Sequence, residues 1–184
     1  MESGSEVVRQ VAVPETRRRQ RPPGGGELAL GLAVTGGAVL ASALASARYS
    51  PAPTHPRVRA YYKRLEKPPF NPPDWIFAIW GPLFTALTIS GWRVWNAPRG
   101  PARTRALGHW FGIQALNALW LWLGFGRRQR GAMAAEAVVT VLNAAAYADA
   151  ARKLDRPAAW LAVPYVAWVG FAALLSEELW RRNR

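Results

Sequence analysis

The residues best suited to chemistry in this chain are flat and aromatic. Among its ten tryptophans, Trp80 and Trp168 each fall, at helical spacing, on a face shared with other aromatic or small residues: Trp80 with Phe84, Leu87, Gly91 and Trp95, and Trp168 with Tyr165, Ala172 and Ser176. Such a face suits a flat conjugated partner such as a tetrapyrrole, on which an indole can stack. Beside an excited ring system, indoles can also trade electrons. A second set is polar: Glu136, Thr140, Asn143 and Tyr147 recur at steps of four, three and four residues, which puts all of them on one side of a helix. Glu136 could handle a proton there or simply hydrogen-bond within a bundle, and the spacing serves both. Gln114 and Asn117 share a face with Trp110. His55 and His109 could ligate a haem iron, but a lone histidine is more often an exposed or interfacial residue. Cysteine is absent, which removes disulfides, thiolate metal sites and cysteine nucleophiles. No nucleophile with its base and orienter, no glycine-rich phosphate loop and no metal-ligand cluster can be assembled. These residues favour a binding protein over a conventional enzyme.

The elements that must position them are apolar blocks of about the length that crosses a bilayer as a helix. Blocks at 28–47, 75–95, 106–126, 132–151 and 158–179 predict an all-α integral membrane bundle of five transmembrane helices. The net charge of +13 lies in the tail and connections, so nucleic acid has no continuous basic surface to bind. Lys and Arg beside apolar blocks read instead as anchors to the anionic head groups of membrane lipid. Trp75, Trp92, Trp110, Trp160 and Trp180, near block ends, predict an interfacial belt.

In chain order, residues 1–27 hold Arg17, Arg18, Arg19 and Arg21 followed by Pro22-Pro23-Gly24-Gly25-Gly26, a flexible basic tail ahead of a membrane domain at 28–184. Basic residues, an apolar run and Ala43-Leu44-Ala45-Ser46-Ala47 imitate a signal peptide with its cleavage site. The run is long for such a peptide and no soluble domain follows it, so an uncleaved first helix is expected. Within that helix Ala29, Ala33, Gly37, Ala41 and Ala45 form either a stripe for close backbone approach or merely an alanine-rich span. Residues 48–74, with Arg57, Arg59, Lys63, Arg64 and several prolines, predict a long loop, of a length more often functional than filler. Its last part, Lys67-Pro68-Pro69-Phe70-Asn71-Pro72-Pro73, holds the approach to the second helix extended. Pro82 either bends that helix or sits near its first turn. In the third block Gly108-x-x-x-Gly112 offers a close-packing motif.

These motifs resemble the translocator protein family, also called tryptophan-rich sensory proteins. Tyr61, Tyr62, Leu65, Lys67, Pro68, Pro72 and Pro73 match its motif ahead of the second helix, with Tyr61 and Phe70 standing where tryptophan is usual. The pattern continues at Trp75, Phe77, Trp80, Leu83 and Phe84, with one residue fewer than usual between Trp75 and Trp80. Asn117 with Trp120 is similar to the Asn-x-x-Trp of the third helix, and Glu136 falls where members often carry an acidic residue. Pro164-Tyr165-x-x-Trp168-x-x-Phe171-Ala172 is the fifth-helix pattern, and Trp180 and Asn183 match the ending. The resemblance runs from about Tyr61 to Asn183.

The resemblance implies a homodimeric membrane receptor that binds porphyrins (protoporphyrin, haem) or other flat hydrophobic ligands in a tryptophan-lined pocket, with no required cofactor and a sensory, regulatory or tetrapyrrole-homeostasis role. It places the site at Tyr61, Tyr62, Pro72, Pro73, Trp80, Phe84, Asn117, Trp120, Glu136, Tyr165, Trp168 and Ala172, under the 48–74 loop, with Trp80 and Trp168 as opposite walls. Two alternatives stand beside binding. One is light-dependent or oxidative porphyrin degradation, with Trp80 and Trp168 as its catalytic residues. The other is transport of a tetrapyrrole or sterol-like lipid, although the family's sterol motif needs a tyrosine before its arginine and Leu175–Arg181 holds none.

Overall fold

The computed structural model describes residues 24–184, and every regular element among them is helical. Helix α1 spans Gly25–Ala47 and α2 spans Pro56–Arg64. A 3-10 segment, Asp74–Ile79, leads into α3, Trp80–Trp95. Helix α4, Pro101–Leu121, continues as a π-helical turn, Trp122–Gly126. Helices α5, Arg130–Arg152, and α6, Arg156–Arg182, complete the bundle. Residues 1–23 of the expected basic tail lie outside the described residues, and α1 already begins at Gly25.

Among the described residues, four segments are long and apolar enough to cross a membrane: α1, Asp74–Trp95, α5 and α6. Helix α4 has the length, at 21 residues, but carries Arg103, Arg105, His109, Gln114 and Asn117.

Local chemistry sets the helix starts. Pro101 opens α4 and Pro157 sits in the first turn of α6, positions where a missing N–H costs nothing. The Asp155 carboxylate caps α6 by accepting the Ala158 N–H at 2.7 Å and accepts bidentate bonds from Arg93 Nε and Nη2, each at 2.9 Å. Burial works against the charge on Asp155, but these bonds outweigh it and hold the carboxyl below its ordinary range. Pro82 falls in the first turn of α3, where it is tolerated without a bend.

Buried polar groups fasten the helices to one another. Ser90 donates to the Ala158 carbonyl at 2.7 Å, so its single proton is used and the Tyr147 hydroxyl must be the donor in the 2.6 Å contact between them. That chain joins α3, α5 and α6. Trp110, fully buried in α4, donates its indole N–H to the Leu87 carbonyl at 2.9 Å. The belt expected of Trp110 is therefore wrong: α4 begins at Pro101, five residues before the apolar block, so Trp110 stands well inside the helix rather than near its end. Trp75 and Trp160, both 73% exposed, do face outward.

Three further expectations change. The Ala29, Ala33, Gly37, Ala41 stripe of α1 is exposed, and the buried face is Gly31, Thr35, Val39 and Ser42. The hydroxyls decide it, because they are costly against lipid. Thr35 bonds the Gly31 carbonyl at 2.9 Å and Ser42 the Gln114 carbonyl at 2.7 Å. Glycine at 31 makes room for Trp95, whose indole would lie 2.6 Å from an added Cβ. In α4 only Gly112 packs closely, against the Asn143 side chain, while Gly108 meets nothing within 4 Å. The 48–74 connection is not all loop, since α2 forms within it. Val58, Tyr62 and Leu65 recur at helical spacing and pack with Phe125 of the π-helical turn, Tyr62 edge-on to that ring at 5.8 Å, while Arg57, Lys63 and Arg64 point outward.

Candidate functional site

Four helices converge on a cleft of about 290 Å³ of empty space, partly open to the outside. Helix α3 contributes Trp80, α4 contributes Asn117 and Trp120, α5 contributes Glu136, Ala137 and Thr140, and α6 contributes Val169 and Ala172. The α5 residues reach it because they sit on the polar stripe, which is turned into the bundle: Glu136, Thr140 and Tyr147 are buried, whereas Val138, Val139 and Leu142 are exposed.

An aromatic run flanks the cleft. Phe84 lies 5.2 Å from Trp80, Trp80 stands edge-on to Trp168 at 6.0 Å, Trp168 lies 5.6 Å from Phe171, and Phe171 meets Phe70 at 6.3 Å. Trp80 and Trp168 thus touch each other instead of facing one another across a gap, and only Trp80 lines the cleft. Edge-to-face packing is the arrangement that aromatic quadrupoles favour, which closes the space expected between them.

The hydrogen bonds around the cleft are incomplete. Tyr165, fully buried, donates to Asn117 Oδ1 at 2.7 Å, and Thr140 donates to Glu136 Oε1 at 2.6 Å. Trp120 Nε1 donates to Ser176 at 3.2 Å. Asn117 Nδ2, Glu136 Oε2 and Trp168 Nε1 are buried without a protein partner among the described residues. Each such orphan costs about 1–3 kcal/mol unless something else satisfies it.

Of the residues expected in the site, Trp80, Asn117, Trp120, Glu136 and Ala172 line the cleft, and Phe84, Tyr165 and Trp168 stand directly behind it. Tyr61, Tyr62, Pro72 and Pro73 do not line it. The tyrosines pack on Phe125, and Arg130 donates to the Tyr61 hydroxyl at 2.8 Å. Asn71, held by the Tyr62 hydroxyl at 3.2 Å, bonds the Pro72 carbonyl at 3.0 Å. This group braces the proline-rich segment beside the cleft. Sequence reasoning left Ala137, Thr140 and Val169 out of the site; Thr140, one turn from Glu136 on the same stripe, carried the signal that could have found it. His109 is committed to Asn143, with 2.8 Å between Nδ1 and Oδ1, while Asn143 Nδ2 donates to the His109 carbonyl at 2.9 Å.

That last pair gives a test of the stripe. Asn143→Leu removes both bonds between α4 and α5, whereas Val139 is 51% exposed and makes no comparable contact. Asn143→Leu is expected to lower stability by about 0.6 kcal/mol per bond, the average for interhelical bonds in membranes, and Val139→Leu to leave it unchanged. Thermal unfolding of the two variants in one detergent measures the difference, and equal shifts would mean the face is assigned wrongly.

Residues 34–181 match the TspO/MBR family. The translocator protein of Ovis aries is 40% identical over 127 residues, covering 67% of this chain and 75% of the relative. The tryptophan-rich protein TspO of Chlorobaculum tepidum is 33% identical over 167 residues, covering 84% and 96%. The tryptophan-rich sensory protein of Cereibacter sphaeroides is 32% identical over 124 residues, covering 67% and 77%.

Proposed function

Because this chain belongs to the TspO/MBR family of membrane proteins, we propose that it crosses the membrane five times and binds porphyrins such as protoporphyrin or haem, or other flat hydrophobic ligands, in the cleft between α3, α4, α5 and α6, in a sensory or tetrapyrrole-homeostasis role. The cleft itself carries the reading: it is walled by Trp80 and Trp120, flanked by the Phe84–Trp80–Trp168–Phe171–Phe70 run, and holds buried polar atoms that the protein leaves unsatisfied. The space between its walls is narrow. A four-pyrrole macrocycle therefore requires it to widen, and the Phe70 contact on Phe171 is the simplest to release because Phe70 sits in a turn closed by the Asn71 N–H on the Pro68 carbonyl, not in the extended approach expected of this segment, and is 48% exposed. The fifth span is α4. Gln114 is buried, and the half-buried His109 and Asn117 are bonded to Asn143 and Tyr165, while Arg103 and Arg105 lie in the first two turns, at the end of the span where a charge can reach the interface. The outward alanine and glycine stripe of α1 supports self-association as a homodimer.

Titration of the purified protein with protoporphyrin, followed by tryptophan quenching in the dark and then under illumination, tests the binding reading. Saturable quenching with an unchanged porphyrin spectrum is expected. Loss of the porphyrin spectrum under light would mean degradation, for which the Trp80–Trp168 contact supplies adjacent indoles, and an absence of saturable quenching would refute the assignment. Five spans place the two termini on opposite sides of the membrane, and reporter fusions at each end are expected to report opposite sides. Both reporters on one side would reduce the count to four.

A further inference from the structure

The hydrogen-bonding capacity left free in the cleft is specific enough to say what its ligand must bring. Trp120 Nε1 is used by Ser176, Glu136 Oε1 by Thr140, and Asn117 Oδ1 by Tyr165. What remains on the lining residues is one carboxyl oxygen, Glu136 Oε2, and the Asn117 amide N–H pair, both buried and without a partner among the described residues, while the unpartnered Trp168 Nε1 belongs to a ring behind the lining. Glu136 is 7% exposed. Among the described residues no Lys, Arg or His lines the cleft, so Glu136 is its only ionisable group.

We propose that Glu136 is a specificity-determining residue, selecting planar aromatic ligands that bring an amine N–H donor to the buried end of the cleft and refusing those that bring a carboxylate there. The inference rests on the cleft being the ligand site. An amine supplies the donor that Oε2 lacks, and a cationic amine also balances the charge of an ionised Glu136. A ligand carboxylate fails in either protonation state of Glu136. Against the ionised form it meets a like charge, and against the neutral form its own charge is buried with no counterion. A porphyrin can then enter only with its carboxylates directed outward. Arg130 lies six residues before Glu136 on α5, about 9 Å along the helix, where it bonds the Tyr61 hydroxyl and the Asn183 carbonyl while its Nε has no partner among the described residues. A three-ring aromatic amine is also smaller than a macrocycle and needs less widening of the cleft.

The test compares probes of one ring size in a neutral detergent: proflavine, a planar diamine cation, and anthracene-9-carboxylate, with protoporphyrin titrated in parallel. The full-length parent chain is expected to bind proflavine at least about tenfold more tightly than the carboxylate. Glu136→Gln is expected to bring the ratio close to one. Monodisperse elution and retained helical circular dichroism confirm that the variant is folded. The parent comparison needs no variant, so equal affinities for proflavine and the carboxylate overturn the proposal even if Glu136→Gln fails to fold. A folded Glu136→Gln that keeps the parent ratio overturns it as well. Discrimination between the small probes without porphyrin binding would support the role of Glu136 and remove the porphyrin reading. Porphyrin binding without that discrimination would do the reverse, and binding of none of the three would remove both.

Discussion

Trp110→Ala is expected to lower the stability of the detergent-solubilised protein by about 3 kcal/mol or more, the lower end of the cost of deleting a buried tryptophan in a soluble core. The lower end applies because helices in a membrane associate by packing and hydrogen bonds rather than by withdrawal from water, so the cavity carries most of the loss. Trp110 is fully buried among α1, α3 and α4 residues that include Val39 and Leu87, and its N–H bonds the Leu87 carbonyl. It lies directly on Gly91, where an added methyl would overlap the indole. Gly91→Ala is accordingly expected to cost about 1–3 kcal/mol by overpacking. The two effects share one cause, so they must not add: in a Trp110→Ala background the Gly91→Ala change should cost little, because the ring that it collides with is gone. Thermal unfolding of the four proteins of this cycle decides the matter. Additive losses would show that Gly91 is intolerant for a reason other than the indole, and a Trp110→Ala loss within about 0.5 kcal/mol, the range of ordinary surface changes, would show that Trp110 is not packed as described.

The helices and their inward faces were legible where a single periodic signal governed them. The Glu136, Thr140, Tyr147 stripe was readable from spacing alone because carboxyl, hydroxyl and phenol cannot be turned to lipid without a large penalty, and nothing in α5 competes with that preference. In α1 two small-residue stripes run side by side, and size could not choose between them. The choice falls to the hydroxyls of Thr35 and Ser42, which need covering. Trp110 was misplaced because an apolar block is not a helix: Pro101 starts α4 among charged residues that a hydropathy reading excludes. Helix α2 was hidden for a related reason, its Arg and Lys residues outnumbering Val58, Tyr62 and Leu65, whose spacing nonetheless matches one helical face. Five lining residues of the cleft could be named in advance through motif positions on four helices. The contact between Trp80 and Trp168 could not, since the distance between two faces depends on how closely α3 and α6 pack, and ties between distant residues such as Ser90 to the Ala158 carbonyl and Arg93 to Asp155 leave no periodic mark in the sequence.

Ala172→Phe is expected to abolish porphyrin binding, the largest effect on ligand affinity of any change considered for the cleft. Ala172 lines it from α6, one turn beyond Trp168 and opposite the polar residues of α5. A phenyl ring there fills space between the walls of the cleft and removes no existing contact, so any loss of binding reflects lost space. Trp168→Phe is a weaker change by a different route. Trp168 is not a lining residue, and it acts by supporting Trp80 edge-on. Aromatic pairing beyond plain burial is worth about 0.5–1.5 kcal/mol, so the affinity should fall by roughly tenfold at most. Trp160→Phe serves as the control, since Trp160 is 73% exposed on the outer side of α6 and far from the lining. Quenching titrations with protoporphyrin should therefore rank the parent and Trp160→Phe together, Trp168→Phe below them, and Ala172→Phe without saturable binding. Parent-like affinity in Ala172→Phe would place the porphyrin site outside this cleft, whatever the family of the chain.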